Sequence, residues 1–136
     1  MIQRIQTLWL LLASICAFAS IKLPFYFGSL EVPGPTITIT PYDHFVLLVF
    51  VIATALVALI NIFLYSNRSL QIKISVVGVL LGLVNLMHYF LYMRTFKTGG
   101  LSLYSIFSLL VPLFFILAIR NIYKDQKLLK SLDRLR

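Results

Sequence analysis

Carboxylates are nearly missing from this chain. Four Asp and Glu stand against twelve Lys and Arg in 136 residues, and charged residues of either sign make up only 12%, roughly half the ~25% usual in soluble domains. Hydrophobic residues make up 60%. A chain so poor in charge cannot hide its apolar surface inside a water-soluble globule of this size. The composition therefore points to an integral membrane protein of one domain. Cysteine is almost absent too: Cys16 stands alone, which excludes a disulfide within the chain. The two histidines, His44 and His88, sit in no His-Glu-x-x-His spacing, and there is no Cys-x-x-Cys. No metal and no cofactor is expected on those grounds. Cys16 and His88 fall on different apolar runs, and Cys16 has no neighbouring cation to activate it. No catalytic residue is expected, and the chain is not read as an enzyme. The net charge of +8 would suggest nucleic acid in a soluble protein. Here the basic residues flank apolar runs, so they are read as topology and lipid-headgroup signals, with no nucleic-acid partner.

What the chain has in abundance is long apolar segments. Four stand out, at about residues 5–27, 44–65, 72–93 and 101–119, each near the ~20 residues that a spanning helix needs. The first resembles a signal peptide, with Arg4 before the apolar stretch and Ala17-Phe18-Ala19 ahead of Ser20. It is read instead as an uncleaved helix, because the apolar character continues through Leu23-Pro24-Phe25-Tyr26-Phe27. Residues 28–43 hold Pro33, Gly34, Pro35 and Pro41, which break helices. Between them Thr36-Ile37-Thr38-Ile39-Thr40 alternates as a strand does, too briefly to make a sheet alone. This loop is expected to form an extended cap over the helix ends. Residues 66–71 form a short polar link, and Gly99-Gly100 is read as a flexible hinge. The fold class expected is all-α: a four-helix transmembrane bundle with a short extended extracytoplasmic loop and a C-terminal amphipathic interfacial helix.

Orientation follows from the basic residues. Arg4, Arg68, Lys73, Arg120, Lys124, Lys127, Lys130, Arg134 and Arg136 fall on one side of the spans, nine against the three on the other, Lys22, Arg94 and Lys97. The excess places both termini in the cytoplasm.

Small residues let helices approach one another in lipid. Three runs carry such a face: Ala13, Ala17 and Ser20; Thr54, Ala58 and Asn61; and Gly78, Gly82 and Asn85. Asn61 is expected to bond to backbone beside Gly78, and Thr54 to pair with Asn85. Pro112 is expected to shape the fourth helix by a kink, with Ser105 and Ser108 near the freed carbonyls. The intramembrane polar candidates are Asn61, Asn85 and His88. An alternative function, a small transporter or channel component, would use Asn85 and His88. No Asp or Glu within a span and no internal repeat accompanies them, which weighs against that alternative.

The last segment, residues 120–136, is the most charged. On a helical wheel Leu128, Leu129, Leu132 and Leu135 fall within about 120°, with Lys127, Lys130 and Arg134 opposite. Lys124, Lys127, Lys130, Arg134 and Arg136 are the candidate contacts for anionic headgroups, or for a membrane or cytoplasmic protein partner. Asp125 and Asp133 are expected to pair locally within this tail.

Two stretches carry a resemblance. Met1-Ile2-Gln3-Arg4-Ile5-Gln6 leading into Leu8-Trp9-Leu10-Leu11-Leu12-Ala13, and Ala118-Ile119-Arg120 with the closing Lys124-Asp125-Gln126-Lys127-Leu128-Leu129-Lys130-Ser131-Leu132-Asp133-Arg134-Leu135-Arg136, resemble an uncharacterised family. It is the domain of unknown function 4293, a group of small four-helix inner-membrane proteins of the Bacteroidota. The resemblance implies a bacterial inner-membrane location and a four-helix fold. It implies no activity and brings no site residues. It marks the two ends as distinctive, so Gln3, Arg4 and Gln6 are expected to approach the tail.

Overall fold

The structure is a computed structural model that describes residues 3–31 and 33–133, with the side chains of Gln3, Arg4, Leu132 and Asp133 outside the description. Four helices dominate it: α1 (Gln3–Ser20), α2 (Phe45–Phe63), α3 (Arg68–Met93) and α4 (Ser105–Asp133). Each packs mainly on two others, α1 on α2 and α4, and α3 on α2 and α4. Three of them, α2, α3 and most of α4, are long and apolar enough to cross a membrane, while α1 is a shorter apolar helix. All nine residues of the three small-residue faces are buried. The main core joins Leu10, Ala13 and Ala17 of α1 to Ala55 and Ala58 of α2 and to Val111, Phe115 and Ala118 of α4. Large aliphatic side chains such as Leu56, Ile60, Leu80 and Leu113 point outward, the reverse of what water would allow for a surface this apolar.

The all-α reading is approximate, because a three-stranded antiparallel sheet caps one end. Its strands are β1 (Tyr26–Ser29), β2 (Ile37–Ile39) and β3 (Thr98–Leu101), in the order β2-β1-β3. The first helix accordingly ends at Ser20 instead of running on to Phe27. Pro24 has no amide hydrogen to continue a helix and disfavours helical geometry at Leu23. The alternating Ile37-Thr38-Ile39 does find a sheet, because Tyr26, Phe27 and Gly28 supply its partners. Gly99 and Gly100 are strand residues and not a hinge, Gly99 opposite Gly28 and Gly100 opposite Phe27. A Cβ on Gly99 would run into the Phe27 carbonyl oxygen and the Gly28 Cα, so the close approach of these strands requires glycine there.

Phe25 docks this sheet on the helices. Its amide donates to the Ile39 carbonyl at 2.8 Å, and its carbonyl accepts from the Ser102 amide at 3.0 Å. Its ring stacks on Tyr89 of α3, within a second core cluster that includes Ile39 and Leu47.

Candidate functional site

One cluster of polar groups lies at the end opposite the sheet. Helix α2 stops at Phe63, and Asn67 starts α3, its side-chain oxygen accepting from the Leu70 amide at 3.3 Å. Asparagine is among the best residues at that position, because it satisfies one of the amides that a helix start leaves free. The next residue, Arg68, reaches α4: its Nη2 lies 3.2 Å from Oδ2 of Asp125, and the two side chains are only 16% and 11% exposed. Asp125 therefore does not pair within the tail, as its sequence neighbourhood suggests, but crosses to a different helix. The Asp133 side chain lies outside the described residues.

Above this ion pair sits a buried amide layer. The Gln71 amide nitrogen donates to the Asn61 carbonyl oxygen at 3.2 Å, and the Asn61 amide nitrogen donates to the Ser75 hydroxyl at 2.6 Å. Asn61 thus bonds one turn short of Gly78, whose open face is filled by the Phe115 ring. Gln6 of α1 is fully buried, and neither atom of its amide has a hydrogen-bond partner among the described residues.

The tail itself is helical, as its wheel predicts. It is not a separate element, because α4 runs unbroken from Ser105 to Asp133. Lys124, Lys127 and Lys130 are exposed on it, and Leu128 and Leu129 are about half exposed. Arg134 and Arg136 lie outside the described residues. Between the tail and the α2–α3 turn runs a groove of about 570 Å³, walled by Tyr65, Asn67, Arg68, Ser69, Leu129 and Lys130.

The other candidates lie elsewhere. Asn85 faces a cavity of about 10 Å³ where all four helices meet, beside Ser20, Thr54, Gly82 and Ser108. That is at the lower limit for one water molecule. Thr54 does not pair with Asn85; its hydroxyl donates to the Phe50 carbonyl at 2.7 Å. Ser20 likewise bonds the Ala17 carbonyl, and the buried Asn85 side-chain oxygen has no hydrogen-bond partner among the described residues. Pro112 faces Gly82 across a gap that a Cβ would fill at ordinary contact distance, 3.4 Å from the proline Cβ. His88 is half-buried, with Nδ1 2.9 Å from the Val84 carbonyl oxygen and its ring beside Phe50. His44 stacks near Tyr92. Asn61, Asn85 and His88 occupy three different places and form no common site. Among the described residues no three His, Cys, Asp or Glu side chains cluster as metal ligands do.

Sequence reasoning missed Arg68, Gln71 and the role of Asp125. A signal for Asp125 was present. Val111, Phe115, Ala118, Ile122 and Asp125 follow one another at helical spacing, and all are buried. An acidic residue that continues an apolar stripe needs a buried partner.

Four packed helices, three of them apolar and long enough to span, give the build of a small multi-helix protein compatible with a membrane. The chain matches the family model of a domain of unknown function, DUF4293, over residues 2–135, and belongs to that family. No curated protein and no solved structure matches it significantly.

Proposed function

We propose that this is a non-catalytic, multi-pass protein of the bacterial inner membrane with both ends cytoplasmic. In this reading it has a structural or accessory role and contacts anionic lipid headgroups through its basic tail face. The carrying observation is the fixed geometry of that face. Helix α4 leaves the apolar zone without a break, and the Arg68–Asp125 pair pins its first charged turns to α3. Lys124, Lys127 and Lys130 are thereby held outward as an ordered array instead of a loose tail.

Helix dimensions support the embedding. Tyr104, in the turn just before α4, and Tyr123 within it are nineteen residues apart, about 28 Å by helix rise, close to the ~30 Å hydrocarbon thickness that aromatic girdles bracket. Helices α3 and α4, of 26 and 29 residues, exceed that thickness. Their surplus turns carry Arg68 and the tail lysines. The excess of basic residues on this side favours the cytoplasm.

The test is the lipid that accompanies the full-length protein out of the membrane in mild detergent. Wild type should be enriched in phosphatidylglycerol over phosphatidylethanolamine relative to the membrane extract. The triple variant Lys124→Gln, Lys127→Gln, Lys130→Gln should lose that enrichment. An identical lipid profile for the two proteins would refute the reading, and proteins lost from the triple variant alone would point to a protein partner instead.

A further inference from the structure

We infer that the groove between the α2–α3 turn and the tail is a discrete binding site for the phosphate headgroup of one anionic phospholipid. This rests on the lipid-facing reading above and deepens it, from a diffuse basic surface to a built site with one occupant.

Size and charge both suit a phospholipid head. The groove, at about 570 Å³, falls within the ~300–1,000 Å³ of ordinary ligand clefts. It is large enough for a phosphoglycerol head and not only for an ion. Arg68 and Lys130 bring positive charge from two different helices, and no carboxylate lines the groove among the described residues. Asp125, the acidic group nearest Arg68, faces only one edge of the guanidinium through Nη2. The other terminal nitrogen, Nη1, has no hydrogen-bond partner among the described residues. That nitrogen is itself buried, so Arg68 contributes an unpaired donor beneath the groove wall, and a small shift of its side chain would bring it to a phosphate oxygen. Ser69 adds a hydroxyl donor on the wall that α3 provides.

The apolar flank decides between a lipid and a free anion. Tyr65 is 63% exposed and Leu129 45% exposed. Both border the groove, so the site opens beside side chains that belong in the acyl–headgroup boundary. A free phosphate would gain nothing from them. A phospholipid would place its head between Arg68 and Lys130 and its glycerol and first methylenes against Tyr65 and Leu129. The ion pair then acquires a second role. It fixes the distance between α3 and the tail, and so fixes the width of the groove.

The experiment is native mass spectrometry of the full-length protein, titrated with phosphatidylglycerol, phosphatidylcholine or inorganic phosphate. Wild type should retain one phosphatidylglycerol at collision energies that strip all other lipid. Lys130→Gln should weaken that adduct about five-fold, the effect of one interfacial charge. Ser69→Glu should weaken it about ten-fold or more by placing a carboxylate in the groove. The fold tolerates this change, because acidic residues are favoured in the first turn of a helix. Ser69→Ala provides a milder second variant, with a smaller loss and an unchanged melting temperature. Lys97→Gln, at the sheet end, should leave the adduct intact.

A retained adduct in both Ser69→Glu and Lys130→Gln would overturn the groove. Persistent phosphatidylglycerol enrichment in the wild type, lost in the triple tail variant, would still leave the basic-face reading standing. Equal retention of phosphatidylcholine, or displacement by millimolar phosphate, would overturn an anionic lipid as the occupant.

Discussion

Arg68 and Asp125 face each other at 3.2 Å across the interface of α3 and α4, both largely buried. Removing one partner leaves the other charge without compensation. Asp125→Ala should therefore destabilise the detergent-solubilised protein by roughly 3 kcal/mol, and Arg68→Ala should do the same. The double variant should recover part of that loss, because no orphan charge remains. Thermal melts of the four proteins measure the coupling, and strictly additive losses would show that the pair contributes nothing beyond its separate side chains.

Gly78 and Gly82 belong to one small-residue motif but meet different neighbours. A Cβ at Gly78 would enter the fully buried Phe115 ring, whereas a Cβ at Gly82 would lie 3.4 Å from Pro112. Gly78→Ala should cost about 1–3 kcal/mol through overpacking. Gly82→Ala should be neutral or stabilising by up to about 1 kcal/mol, since alanine favours helix over glycine. Melting temperatures that fall equally for both would show that the two sites are equivalent.

Phe25 stacks on Tyr89 with ring centroids 3.9 Å apart and planes 12° from parallel. Phe25→Ala empties the contact that docks the sheet on the helices, a loss of about 3–5 kcal/mol. Hydrogen exchange should then rise first in Tyr26–Ser29 and Thr98–Leu101, with α1 and α4 still protected near Ala13 and Phe115. Uniform exchange across the chain would indicate that sheet and helices open together.

Asn61→Leu removes the amide that bonds Ser75, while the Asn61 backbone oxygen still accepts from Gln71. The expected loss is about 1 kcal/mol, typical of one hydrogen bond between helices in lipid. An unchanged melting temperature in detergent would show that this bond is replaceable by packing.

Much of the fold is legible in the sequence, because its signals are local. Hydropathy marks the four helices, since a run of apolar residues has the same meaning wherever it packs. Small residues three and four apart mark the buried faces, as Ala13-Ala17, Ala58-Asn61 and Gly78-Gly82 show. The tail lysines are legible as exposed residues for the same reason, being charges outside an apolar run. The sheet is only half legible. Ile37-Thr38-Ile39 reads as a strand, but Tyr26–Ser29 hides in apolar sequence and Thr98–Leu101 in glycines.

By itself, then, the amino-acid order determined composition class, helix number and which helix faces turn inward, all properties of spacing along one chain. Only the tertiary structure decided the partners. Asp125 looks like one more charge in a basic tail until α3 brings Arg68 beside it. Phe25 looks like the end of a helix until Tyr89 offers it a ring. The groove between Ser69 and Lys130 exists only because the packing of α3 on α4 sets two distant segments side by side. A contact between residues far apart in sequence leaves no periodic trace in either, so its energy becomes readable only when the helices are packed.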